Sequence, residues 1–206
     1  MKQIITFLSL VFTIGFGLAQ NAPVDFETGG NGAGWTWTVF ENGGNLPLEI
    51  IPNPVSGGGN TTATVAKFTA VDAGMDWAGC ETTDIGGFTF DINNSVVKLW
   101  VYKDVISEVK VKFEGAGAPV ESTNIQNSVI GQWEELSFDF SAVIGNTYNK
   151  LVIFPDFAPR DQDNIIYFDE MTFNAGTAPV IPAVAAPAPT QDAADVISMF
   201  SNVYTD

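Results

Sequence analysis

The sequence predicts an all-β domain, a β-sandwich of jelly-roll type. Two observations carry that prediction. Short runs alternating apolar with polar residues recur along the chain, and turn-forming Gly, Asn, Asp and Pro clusters separate them. No run of about ten residues or more keeps a helical period. The chain has 206 residues. Its two ends differ in composition from its middle, so roughly 150 residues remain for one core, enough for a sandwich with a sizeable interior.

Taken in order, Val24–Glu27 reads as the first strand, and the Gly- and Asn-rich segment Thr28–Gly34 as a loop. Trp35–Phe40 alternates aromatic residues with Thr or Val, a strand pattern that ends at the Asn42-Gly43-Gly44-Asn45 turn. Leu48–Ile51 is a short strand, Pro52–Asn60 a loop containing three consecutive glycines, and Thr61–Thr69 a further strand. Asp72–Cys80 reads as a loop that presents Trp77. Strands then follow at Phe88–Ile92, Val96–Tyr102, Ile106–Phe113, Trp133–Phe140, Leu151–Phe154 and Ile165–Phe173. Within Ile106–Phe113 the alternation sets Val109, Val111 and Phe113 on one face, with Lys110, Lys112 and Glu114 on the other.

The two end segments carry the oddities. Tyr167–Met171 places acids inside an otherwise apolar strand, and a carboxylate there is costly unless something pairs with it or binds it. Val24–Glu27 is the matching case at the other end. The expectation is that these segments lie together and close the sandwich.

Before Val24, a basic start and the apolar run Ile4–Ala19 read as a secretory signal cut after Ala19, with a retained anchor as the alternative. The mature protein is then expected to be secreted or at the cell surface, with no membrane insertion. At the far end, Ala175–Thr190 is a Pro/Ala-rich spacer. Residues 191–206, with the apolar run Val196–Phe200, read as the start of a second, covalently linked module or as a docking or sorting tail. The division is thus 1–19 signal peptide, 20–174 sandwich, 175–190 linker and 191–206 tail.

Composition excludes whole classes of chemistry. Histidine is absent and Cys80 is the single cysteine, so no Ser-His-Asp triad, Cys-His pair, His-based zinc site or intrachain disulfide can form. Cys80 reads as a small buried apolar residue, with an intermolecular bridge as the alternative. The net charge of −16 repels phosphate backbones and anionic lipid, so nucleic acid is not an expected partner. Neutral glycans and cations remain.

Several phrases resemble a known family in their order along the chain. They are Val24-Asp25-Phe26-Glu27, Trp77-Ala78-Gly79, the run Trp133–Ser141, Phe154-Pro155-Asp156-Phe157 and Tyr167-Phe168-Asp169-Glu170. Over most of Pro23–Asn174 the chain is similar to the galactose-binding-domain-like carbohydrate-binding modules, closest to families 4, 9 and 22, of secreted bacterial polysaccharide-degrading proteins. That resemblance implies a jelly roll with a structural calcium ion near both termini, and it carries the ligand role onto Glu27 and Asp169. Calcium takes six to eight oxygens, so carbonyls or further acids must complete the shell. Asp25 and Glu170 face the other way on their strands. The alternative is that Glu27 and Asp169 are merely exposed or hydrogen-bonded.

Sugars are gripped by aromatic faces, with polar side chains fixing the hydroxyls, and Trp and Tyr suit this because they tolerate one wet edge. The candidates are Trp77 in its loop, Trp100 and Tyr102 on one strand, Lys112 and Glu114 on the next, Trp37, and Arg160. If those two strands neighbour each other, their side chains form one mixed aromatic and charged surface; the alternative is a solvated face with cross-strand ion pairs. Trp77 and Trp37 are each balanced against a core role, and Arg160 against an exposed loop salt bridge. Trp133 reads as core. Taken together, the expected function is non-catalytic binding of a polysaccharide or oligosaccharide, a neutral glycan such as a β-glucan, that targets an attached or partner protein. A glycoside hydrolase with its catalytic module downstream, and a structural or adhesive surface domain, are the alternatives.

Overall fold

A computed structural model describes residues 20–176; the expectations for the signal peptide, most of the linker and the final stretch fall on residues outside that range. The described strands are β1 (Thr38–Phe40), β2 (Glu49–Pro52), β3 (Thr64–Ala70), β4 (Gly79–Thr82), β5 (Phe88–Thr89), β6 (Val96–Lys103) and β7 (Glu108–Glu114). They continue as β8 (Val120–Glu121), β9 (Ile125–Gln126), β10 (Trp133–Asp139), β11 (Thr147–Tyr148), β12 (Lys150–Phe154) and β13 (Asn164–Asn174). Among the described residues the helical content is one 3-10 turn, Ser141–Val143.

Two large antiparallel sheets face each other, and β5 and β11 pair as a separate two-stranded sheet. The first runs β1-β4-β12-β7-β8, with β9 also on β7; the second runs β10-β6-β13-β3-β2. The chain changes sheet at each step from β3 to β4, then to β6, β7, β10, β12 and β13 by way of the short strands, which is the alternation of a jelly roll. Inward-facing residues of both sheets build one core. In β7 these are Val109, Val111 and Phe113, and in β6 they are Val97, Leu99 and Val101, all buried. One end of the core is aromatic: Phe88, Phe90, Phe113 and Phe140 pack with ring centroids 5.1–5.4 Å apart, the offset and edge-on geometries that ring quadrupoles favour.

Three readings of the sequence are corrected. Gly79–Thr82 is a strand, not the end of a loop, and its centre is the buried Cys80, which burial keeps as the neutral thiol. The four-residue run was hidden because its Gly-Cys-Glu-Thr composition carries no apolar alternation. Val24–Glu27 is not a strand: Phe26 has φ +50°, and Val24 alone bridges to Met171. The segments nonetheless meet. Val24 and Met171 exchange both backbone hydrogen bonds at 2.9 Å, made possible by an irregularity in β13 between Asp169 and Thr172, with Glu170 at φ +49°. Third, β6 and β7 do not neighbour each other but lie in different sheets. Trp100 and Tyr102 therefore occupy the opposite face of the molecule from Lys112 and Glu114.

Candidate functional site

The outer face of the first sheet holds a groove of about 460 Å³, lined by Phe40, Trp77, Glu81, Lys110, Lys112, Glu114, Glu121, Val152, Phe154 and Phe157, among others. Register explains its make-up. Alternation on β7 points Lys110, Lys112 and Glu114 outward, and pairing sets them beside Phe154, Val152 and Lys150 of β12. Glu81 of β4 then lies beside Val152, and Glu121 of β8 beside Lys112. Gly79 leaves room for both β12 and the rings: a Cβ there would stand 2.6 Å from the Ile153 carbonyl oxygen, 2.8 Å from Phe40 and 3.2 Å from Phe154. The Phe40, Phe154 and Phe157 rings follow edge to face at 5.8 and 5.7 Å.

Apart from Glu41, which lines the groove without an ion pair among the described residues, the charges of the groove and the adjoining Lys150 form one chain of neighbours. Glu81 meets Lys150 at 3.2 Å, Lys150 meets Glu114 at 3.3 Å, Glu114 meets Lys112 at 2.8 Å, and Lys112 meets Glu121 at 3.9 Å. Glu121 meets Lys110 at 3.1 Å, and the Lys110 ammonium lies 4.3 Å from the Phe157 ring centroid. The hydrogen bond from Lys112 holds the Glu114 carboxyl below its ordinary range, and Glu81 holds Lys150 above its own. Both shifts favour the charged forms of Glu114 and Lys150, in keeping with their pairing. It offers alternating donors and acceptors beside apolar ring surface, an arrangement suited to vicinal hydroxyls flanked by C–H patches.

Of the residues singled out in the sequence, Trp77, Lys112 and Glu114 come together in this groove. The others do not. Trp100 and Tyr102 lie on the outer face of the second sheet, where Trp100 is covered by the Gly57–Gly59 loop: a Cβ on Gly59 would fall 2.3 Å from the Trp100 ring. Trp133 is buried as read, but on this outer face rather than between the sheets, pairing with Tyr102 and donating to the Val55 carbonyl at 2.7 Å. Trp37 packs against the core beside Phe26 and donates its indole N–H to the Gly32 carbonyl at 3.0 Å. Phe40, Phe154 and Phe157, Lys150, Glu81 and Glu121 were not singled out for this site. The Phe-Pro-Asp-Phe phrase was the one signal for two of them.

Arg160 is not an exposed loop residue. Its side chain is buried, with Nε 3.3 Å from Asp156 Oδ2, and its Nη atoms donate to the carbonyls of Val71, Met75 and Asp156. Asp156 also accepts from the Ser107 hydroxyl and from Asn164 at 2.9 Å, and lies 3.5 Å from the buried Lys103. Burial alone would raise the Asp156 carboxyl, but the Asn164 and Ser107 hydrogen bonds and the Lys103 and Arg160 charges outweigh it, so it sits low. Burial pulls Lys103 down to about 8, against the attraction of Asp156.

At the meeting of the end segments, Asp169 is fully buried. Its Oδ2 accepts from Asn60 at 2.8 Å and from the Thr62 hydroxyl, while Oδ1 has no hydrogen-bond partner. Burial raises this carboxyl to about 6 despite those bonds. Glu27 Oε1 accepts the amides of Ala63 and Thr64 at 2.6 and 2.9 Å. Both acids therefore close on residues 60–64. Among the described residues no cluster of three or more acidic, His or Cys side chains surrounds them. A cation there would draw on Asp169 Oδ1 and on carbonyl or hydroxyl oxygens, an all-oxygen set of the kind calcium takes. Asp25 instead caps its own turn, accepting the amides of Glu27 and Asn31.

No family model and no curated protein matches the chain. Its neighbours among solved structures are carbohydrate-binding modules. One is TmCBM61 in complex with β-1,4-galactotriose, at 9% identity, covering 77% of this chain and 99% of that one with a TM-score of 0.46. Another is the CBM28 described as specific for non-crystalline cellulose, at 16% identity, covering 68% and 88% with a TM-score of 0.44. A third is the CBM22-1–GH10 portion of Clostridium thermocellum xylanase 10B complexed with xylohexaose, at 13% identity, covering 68% of this chain and 26% of that one with a TM-score of 0.47.

Proposed function

We propose that the chain is a secreted, non-catalytic carbohydrate-binding module whose site is the groove on the first sheet. Its ligand is a neutral polysaccharide such as a β-glucan, and it targets an attached or partner protein to that polysaccharide. The observation that carries this reading is the groove itself, in which exposed ring surface lies beside a floor of paired lysines and glutamates. An anionic glycan would meet four glutamates, three of them already engaged by lysines, and a molecule of net charge −16. A neutral chain presents hydroxyls that can share the existing pairs without separating charge.

We read the domain itself as non-catalytic: glycoside hydrolysis commonly uses a proton-donating acid whose pKa is raised, and Glu114 is held in the opposite direction. We also propose a structural calcium ion held by Asp169 and Glu27, for which the orphaned Asp169 Oδ1 is the supporting feature.

Native affinity electrophoresis of the protein in gels containing mixed-linkage β-glucan, xyloglucan, xylan, galactan or polygalacturonate tests the reading. The expected result is retardation by at least one neutral glycan, none by polygalacturonate, and no release of reducing sugar. Unretarded migration in every gel would overturn it.

A further inference from the structure

Trp77 is the most exposed ring of the groove, with 44% of its surface accessible. Among the described residues no hydrogen bond reaches its indole nitrogen and no aromatic ring pairs with it, so its own contacts do not fix where it stands. Its backbone does. Trp77 sits in the turn closed by the Ala78 amide donating to the Met75 carbonyl at 2.9 Å. That same Met75 carbonyl accepts from Arg160 Nη1 at 3.1 Å, and Nη1 also reaches the Val71 carbonyl at 3.3 Å, at the start of the loop. The Met75 amide is tied to the Glu41 carbonyl at 2.8 Å, and the Asp72 amide to Asp163 Oδ1 at 2.9 Å.

Arg160 is itself immobilised from behind. Its guanidinium is fixed through Nε and Nη2 on Asp156, and Asp156 is held by Ser107, Asn164 and Lys103. A planar fork with several fixed donors suits this task, and an ammonium could not reproduce both carbonyl contacts and the carboxylate contact together. We propose that Arg160 is a positioning residue for Trp77: it ties the 71–78 loop to the buried Lys103–Asp156 pair and thereby holds the rim aromatic over the groove. Arg160 does not touch the ligand; its effect on binding passes through Trp77. This part of the inference rests on the groove being the glycan site.

The test uses protein labelled with 5-fluorotryptophan, whose five tryptophans give separate fluorine resonances, the Trp77 signal being identified by its loss in Trp77→Phe. In Arg160→Gln, and in the milder Arg160→Lys should the first not fold, the Trp77 resonance is expected to shift or broaden. Those of Trp35, Trp37, Trp100 and Trp133 are expected to stay in place. An unmoved Trp77 signal in a folded Arg160 variant, or equal movement of all five, would overturn the proposal. Binding adds a second reading. Arg160→Gln is expected to weaken retardation by a β-glucan about three- to tenfold in the wild-type background and to have no further effect in a Trp77→Ala background. Additive losses in that cycle would overturn the route through Trp77. If the wild type binds no glycan while the Trp77 resonance still moves, the functional reading fails and the positioning role stands.

Discussion

The amide of Asn60 donates to the carboxylate of Asp169 at 2.8 Å across 109 positions of sequence, and that contact joins a surface loop to the closing strand. The other carboxylate oxygen is buried without a partner. The contact therefore holds a charge where the protein interior disfavours one.

Stability should record this. The folded carboxyl keeps its proton up to about pH 6, whereas the ordinary aspartate value is 3.8. Between those values the folded state binds the extra proton, so this group's contribution to stability is greatest at the acid end and falls as pH rises through the window. In chelator, the melting temperature of the wild type relative to Asp169→Asn is expected to decline from pH 4 to pH 7. A pH-independent difference would show that Asp169 does not titrate there.

Calcium should reverse that penalty. At calcium about 100-fold above its Kd, the wild-type midpoint is expected to rise on the order of 5–10 °C over the chelated sample. Asp169→Asn should show no such response. An unchanged wild-type midpoint counts against the ion.

The two sheet faces should separate in binding. Trp77→Ala is expected to weaken glycan affinity about tenfold with little change in melting temperature. Tyr102→Phe, on the opposite sheet, should leave affinity unchanged. Because the lysines of the groove are all paired with glutamates and the ligand is read as neutral, raising salt from about 0.05 to 0.5 M should alter affinity less than about twofold. Titration calorimetry on a soluble oligosaccharide measures all three.

Asp156→Ala should be severe, because it leaves the buried Lys103 and Arg160 charges facing each other without their anion. A loss of roughly 3–5 kcal/mol is expected in urea unfolding.

Gly59→Ala tests the lid over Trp100. The residue has φ +111°, and a Cβ would lie 2.3 Å from the ring. A cost of about 1–3 kcal/mol is expected from strain and displacement of the indole; a neutral result would mean that the loop lifts freely.

Much of the fold was legible because alternation is a local signal. In β6, β7 and β10 every second residue turns inward, and the same period can be read from the letters alone. Gly79–Thr82 escaped because a short central strand is recognised by its neighbours, β1 and β12, and not by its own pattern. The groove was half visible. Trp77, Lys112 and Glu114 belong to it, but Trp100 and Tyr102 could join them only if β6 and β7 paired, and those strands lie in different sheets.

The sequence by itself determined which residues of the regularly alternating strands β6 and β7 face in and which face out, that the chemistry of His and paired Cys is closed to this chain, and which acids sit among apolar neighbours. Tertiary structure alone decided which outward faces share a sheet, that Arg160 is buried and clamps the loop before β4, and that Glu27 and Asp169 close on one segment. The physical reason is that side-chain direction follows from a period of two along a single strand, whereas strand order and register depend on contacts between residues far apart in the chain.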